Sequence, residues 1–205
     1  MHQTRSEVIK ALPLARKGTK YVARAMRNSS NSVPLVIAIR DMLNLASTSK
    51  EVKGMLHNKK LKINGKIAKT LTDPISLFSR IEADKNYLLT MLPTGRFSFV
   101  ETKDNERKLK INGKRLVRGK KLQYSLHDGT TVISDKEFSV GDTLIINDEN
   151  KIIKHISFDK GKEVFAFKGS YIGREGKVQS ISGEKVTVKF DKEEAVVERS
   201  HVIAI

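Results

Sequence analysis

The sequence predicts an α+β chain in which two short helices precede a long run of antiparallel β-structure. Three observations lead there. Between Pro34 and His57 apolar residues recur at three- and four-residue spacing. Beyond residue 60, short alternating stretches are bounded by Gly, Asp or Asn. The string LKINGK occurs twice, at 61–66 and 109–114, each time with an Asn-Gly pair suited to a tight hairpin turn.

Residues 1–34 form a basic arm, in which Arg5, Lys10, Arg16, Lys17, Lys20, Arg24 and Arg27 face one acid, Glu7, before the turn-rich NSSNS at 28–32. Such an arm either contacts a polyanion or stays solvated until a partner orders it. Pro34 suits a first helical turn, with Asn31 or Ser32 as cap, and Leu35, Ile39, Met42, Leu43 and Ala46 then line one face of a helix ending near Ala46. After a tight corner, Thr48 and Glu51 make a capping box that opens a second helix. That helix gathers Val52, Met55 and Leu56 on one side and Lys50, Lys53 and His57 on the other, with Gly54 among the cations. A lysine stripe is ordinarily a solvated face. Here the glycine leaves room for a phosphate backbone to approach.

In the first LKINGK, Leu61 and Ile63 share one side of a strand and Lys60 and Lys62 the other, and Asn64-Gly65 makes the turn. The second repeats this with Leu109 and Ile111 against Lys108 and Lys110, and Asn112-Gly113 as the turn. The flanks differ: helices precede the first copy, whereas the strand pair LLTML and RFSFV, joined by Pro93-Thr94-Gly95, precedes the second. Six matching residues fall short of the roughly 20 to 50 of a structural repeat, so one local device is used twice and the chain is not a duplication. The strands KLQYSL, TTVIS, DTLII and KIIKHISF follow. Near the end Val186, Val188 and Phe190 alternate with Lys185, Thr187 and Lys189, and Val196-Val197 supplies another short strand.

Of 205 residues, 39 are Lys or Arg and 23 are Asp or Glu, a net charge of +16 that calls for a polyanion. A membrane is not the expected partner, because the longest aliphatic run, LVIAI at 35–39, is far short of the roughly 18 to 20 residues of a spanning helix. No apolar segment of a secretory signal is evident, so the chain is expected inside the cell. With no Cys and no His pair at ligand spacing among His2, His57, His127, His155 and His201, neither metal nor cofactor is expected. His127 reads as a turn residue beside Asp128 and Gly129, and Arg40-Asp41 as a pair on the helix surface. The glycine loop at 169–178 fails the phosphate-loop pattern at Tyr171 and Val178. No nucleophile with its base and no paired acid and base is present, so no enzyme is expected.

Residues 35–82 resemble the small helix-turn-helix plus strands RNA-binding module first described in bacterial ribosomal protein S-four, with Ser49-Lys50 as its Ser-basic pair. The string VPLVIAIRDMLNLASTSKEVKGML with KINGKI, then YSLHDGTTVI, FSVGDTLII and SHVIAI, is similar in order to the archaeal and eukaryotic small-subunit ribosomal protein family S-four-e. FAFKGSYIGREGKV, with Gly169, Gly173 and Gly176, fits the KOW pattern of small SH3-like barrels. The arm departs from the family, lacking a Trp and a Gly-Pro-His stretch ahead of the first helix.

The resemblance implies a basic arm (1–34), an S-four-type module (35–82), a central antiparallel β domain (83–160) and a KOW SH3-like barrel (161–205). It implies a structural constituent of the small subunit of the cytoplasmic ribosome, whose partners are ribosomal RNA and neighbouring ribosomal proteins. It implies no small-molecule substrate and no homo-oligomer. With 6% aromatic residues and no Trp, base stacking is expected to be minor and phosphate contacts to dominate. Those contacts are expected from Ser49, Lys50, Lys53, Lys59 and Lys60, extended by Arg24 and Arg27. A second group is Lys114, Arg115, Arg118, Lys120 and Lys121, and a third is Lys168 and Lys177 beside the glycine loop. A dissociable KOW-containing translation or transcription factor and an accessory to an RNA-modifying enzyme are the alternatives.

Overall fold

Antiparallel strands with a few short helices make up the computed structural model, which describes residues 2–27, 31–119, 121–190 and 193–205. Two units compose it, Met1–Asp104 and Asn105–Ile205.

In the first unit the arm folds back on itself, with β1 (His2–Thr4) paired to β2 (Tyr21–Ala23). Arg5 clamps the loop between them, donating from Nε to the Thr19 carbonyl (2.8 Å) and from Nη1 to the Ala15 carbonyl (2.5 Å). At least this cation of the arm is structural. Residues 28–30 of the NSSNS turn lie outside the described residues. Next, β3 (Ser32–Pro34) runs into a single α-helical turn, α1 (Leu35–Ile37), that continues as a π-helix over Ala38–Met42.

Neither Asn31 nor Ser32 caps this helix, because Ser32 belongs to β3. The Leu35 and Val36 amides donate instead to the Asp73 and Leu71 carbonyls, both at 3.0 Å. The helix also stops before Ala46, where Asn44 adopts a left-handed φ of 54°. All of 35–39 is buried, so this part is embedded rather than amphipathic.

Helix α2 (Ser49–His57) begins as its sequence requires. Thr48 Oγ1 accepts from the Glu51 amide (3.3 Å), and Glu51 accepts from the Ser47 amide (2.8 Å) and the Thr48 hydroxyl (2.9 Å). It closes in a Schellman motif, the Lys60 amide donating to Met55 and the Lys59 amide to Leu56, with Lys59 at φ 55° where glycine is usual.

Strands β4 (Lys62–Ile63) and β5 (Lys66–Ile67) then form a hairpin on Asn64 (φ 53°) and Gly65 (φ 75°), the two positive values that a type I′ turn needs. They are followed by β6 (Pro74–Ser76), which pairs with β3, and by β7 (Arg80–Glu82), β8 (Asn86–Met91) and β9 (Phe97–Glu101). The sheet order is β5-β4-β7-β8-β9. Thus β8 and β9, which the sequence groups with the central β domain, belong to the sheet beside the helices. Val33, Ile37, Ile39, Val52, Leu61, Ile75, Ile81 and Leu89 are fully buried in this unit.

The second unit opens with β10 (Arg107–Leu116), β11 (Leu122–Leu126), β12 (Thr131–Ser134), β13 (Thr143–Ile146) and β14 (Ile152–Ile156), ordered β12-β11-β10-β13-β14. Its core holds Leu109, Ile111, Tyr124, Leu126, Phe138 and Leu144. Here the second LKINGK departs from the turn its sequence predicts. Asn112-Gly113 lies inside β10, where the strand passes from its β13 partner to its β11 partner through a bulge between Ile111 and Gly113. Pairing of the flanking residues, with β13 up to Lys110 and with β11 at Ile111 and from Gly113 on, outweighs the local turn preference. His127 does support the turn: its Nδ1 accepts from the Lys110 amide (3.1 Å), and Asp128 accepts from Thr130.

The chain finishes with β15 (Glu163–Ala166), β16 (Glu175–Ser182), β17 (Lys185–Phe190), β18 (Glu193–Glu198) and β19 (Val202–Ala204), in the order β18-β17-β16-β15-β19. Val164, Val178, Val186, Val188, Phe190 and Val202 form its core, and Tyr171 stacks on Phe190 at 4.8 Å. Gly176 is dictated by space: a Cβ there would stand 2.7 Å from both the Lys189 carbonyl oxygen and Val188 Cγ1.

Candidate nucleic-acid interface

A cation serves a polyanion only where its charge reaches solvent, and burial removes three from that role. Arg80 pairs with Glu82 at 2.6 Å inside the first unit. Arg107, 1% exposed, bonds Asp128 (3.4 Å) and Asn150 (2.9 Å). Lys110 is 4% exposed and donates to the Arg199 (2.5 Å) and Val202 (2.7 Å) carbonyls, so it is no part of a basic outer face. Burial, reinforced by the charges of Arg199 and Lys168, pushes the Lys110 ammonium down to about 8.

Helix α2 carries the first group. Val52 is buried and Met55 and Leu56 are half-buried, whereas Ser49, Lys50, Lys53, Gly54 and His57 are exposed. Added to Gly54, a Cβ would meet nothing within 4 Å, so the protein itself imposes no glycine there. Arg40, on the π-helix, grips Asp41 with two hydrogen bonds (2.9 and 2.8 Å) and donates from Nη1 to Ser49 Oγ (3.1 Å). Ser49 is thereby oriented as an acceptor, with its own hydroxyl proton left to donate outward. The Ser47 amide, with help from Thr48, holds Glu51 below the ordinary carboxylate range. That capping charge offsets part of the positive helix terminus, so attraction for an anion comes chiefly from Lys50 and Lys53.

Lys59 and Lys60 are exposed at the other end of α2, about 13 Å along its axis. Lys62 is held by Glu82 at 3.5 Å. Arg24 and Arg27 are both exposed; hydrogen bonds with Thr4 hold Glu7 below the ordinary carboxylate range, and the Arg24 charge adds to this.

The second group lies on the β10–β11 hairpin and its turn. Arg115, Arg118, Lys114 and Lys121 are exposed, and Lys120 lies outside the described residues. Two of these lysines have acid partners that sequence reading missed: Lys114 meets Glu137 at 3.0 Å and Lys121 meets Asp135 at 3.9 Å. The acids arrive through the pairing of β11 with β12, so only that long-range pairing signals them. Glu137 raises the pKa of Lys114.

In the third group, Lys168 lies 6.0 Å from the Phe167 ring centroid, and Lys177 pairs with Glu163 at 3.5 Å beside Lys189 in the ladder. Among the described residues no cluster of His, Asp and Glu fits a metal ion, and no helix is long and apolar enough to cross a membrane.

Comparison with known proteins places this arrangement. The protein named "Small ribosomal subunit protein eS4" from Methanocella arvoryzae is 32% identical over 188 residues, which span 88% of this chain and 80% of the relative. The chain belongs to ribosomal family S4e. The model of that family, "Ribosomal family S4e", matches residues 83–153. The S4e relative from Archaeoglobus fulgidus is 29% identical over 187 residues, covering 88% of this chain and 80% of its own length. In structure, the S4e fold is seen in the crystal structure of the 30S ribosomal protein S4e from Thermoplasma acidophilum. That protein superposes with a TM-score of 0.74 at 26% identity over 85% of this chain and 95% of its own.

Proposed function

We propose that this S4e chain is a structural constituent of the small subunit of the cytoplasmic ribosome, holding ribosomal RNA through its phosphate backbone and performing no catalysis. The observation that carries the reading is the division of α2. Val52 anchors one side in the core, while Lys50 and Lys53 flank an uncrowded glycine on the other and Ser49 is oriented by Arg40 at the helix start. Phosphates meet exposed ammonium groups there without competition from a bulky side chain.

In this reading the helices with β4–β7 act as an S-four-type module. The sheet β10–β14 is a central spacer that presents Arg115 and Arg118, and β15–β19 form an SH3-like barrel of the KOW type. Lys59, Lys60, Arg24 and Arg27 extend the first contact surface, and Lys168 and Lys177 contribute a third. Neighbouring ribosomal proteins are the other partners. Sedimentation of the subunit through a high-salt sucrose gradient tests the assignment: the chain stays with the small subunit, whereas a dissociable factor washes off. Replacing Lys50 and Lys53 together by Ala lowers the slope of log affinity against log salt by about 0.9 for each duplex phosphate that is no longer neutralised. An unchanged slope removes α2 from the site.

A further inference from the structure

The loop between β1 and β2 is tied to the start of β9, where the Phe97 amide donates to the Ala11 carbonyl at 2.8 Å. Beside this tie lies a cleft of about 440 Å³. Val8, Ile9, Leu12 and Leu14 supply its apolar wall, and Lys10, Arg16, Thr94 and Arg96 its polar rim. Arg5 also lines it, but its guanidinium is occupied by the Thr19 and Ala15 carbonyls. Lys10, Arg16 and Arg96 are exposed, none forms an ion pair among the described residues, and no carboxylate lines the cleft.

Three cations without a counter-charge over an aliphatic wall suit a ligand with an anionic end and a flat apolar body. A duplex offers the first and hides the second, because its bases are stacked. An unstacked nucleotide offers both. The volume falls within the roughly 300 to 1,000 Å³ of sites that enclose a small ligand, enough for one nucleotide. We propose that this cleft seats a single unpaired nucleotide of the ribosomal RNA, with its phosphate among Lys10, Arg16 and Arg96 and its base against Ile9 and Leu14. The inference rests on the reading of the chain as an rRNA-binding protein, and adds a contact that the α2 surface does not supply.

The full-length chain with the photoreactive residue p-benzoylphenylalanine in place of Thr94 tests it, using small-subunit rRNA transcribed in vitro. The expected result is an adduct at one unpaired nucleotide, abolished when Arg16→Glu and Arg96→Glu are added. The same two substitutions in the otherwise unaltered chain lower the salt slope by at least about 0.7, the value of one single-strand phosphate contact. Both replaced arginines are exposed, so the fold is kept. An adduct in base-paired RNA, an adduct indifferent to the charge reversal, or no adduct from a chain that still binds rRNA overturns the cleft assignment alone. A wild-type chain that fails to bind rRNA overturns the functional reading beneath it.

Discussion

Gly54→Ala separates the demands of folding from those of binding. Gly54 sits inside α2, exposed and helical, and an added methyl group would touch nothing within 4 Å. By helix propensity alone the substitution stabilises the helix by about 1 kcal/mol. For a cooperative unit of this size, which spans Met1–Asp104, that raises the melting temperature by roughly 4 to 8 °C. If a phosphate passes over Gly54 between Lys50 and Lys53, the same methyl obstructs it and rRNA affinity falls. Calorimetry on the free chain and filter binding to small-subunit rRNA should therefore move in opposite directions. A melting temperature that drops refutes the account of the helix surface, and an affinity that stays constant refutes the close approach of the backbone.

The C-terminal cap of α2 offers a parallel case: Lys59→Gly relieves a left-handed residue of its Cβ, adding about 1 kcal/mol to stability in thermal unfolding while removing one cation from the proposed RNA surface. Gly176→Ala should cost about 1 to 3 kcal/mol in denaturant unfolding, since its methyl group would collide with the Lys189 carbonyl and Val188; a neutral result would contradict the packing. Lys110 predicts a pH dependence. Its ammonium is pushed down to about 8 from an ordinary 10.5, so between those values the unfolded chain binds the proton that the folded chain has released. Stability of the wild-type chain then rises with pH across that window relative to Lys110→Met. Parallel denaturation curves for the two chains from pH 8 to pH 10.5 would contradict the assignment.

The features that could be read from the sequence are those written by near neighbours. The Thr48–Glu51 box, the Asn64-Gly65 turn and the alternation of Val186, Val188 and Phe190 each involve residues within a few places of one another, and each appears where local chemistry puts it. What escaped reading depends on distant pairing. Asn112-Gly113 is chemically the same dipeptide as Asn64-Gly65, yet pairing of the preceding residues with β13 and of Ile111 and Gly113 onward with β11 keeps it inside a strand. Lys110 and Lys62 occupy equivalent places in LKINGK, but only Lys110 meets the carbonyls of Arg199 and Val202. The candidate site divides in the same way. Helical spacing exposes Lys50 and Lys53, whereas the acids beside Lys114 and Lys121, and the meeting of Arg16 with Arg96 at one cleft, depend on long-range packing that no local pattern encodes.

The central claim is that exposed lysines and arginines of this S4e chain hold the phosphate backbone of small-subunit rRNA. The most direct measurement is the affinity of the purified chain for that rRNA, transcribed in vitro, over a series of salt concentrations. The account predicts tight binding at low ionic strength, with log affinity falling linearly as log salt rises. Absence of binding at low salt, or an affinity that salt leaves unchanged, would contradict it.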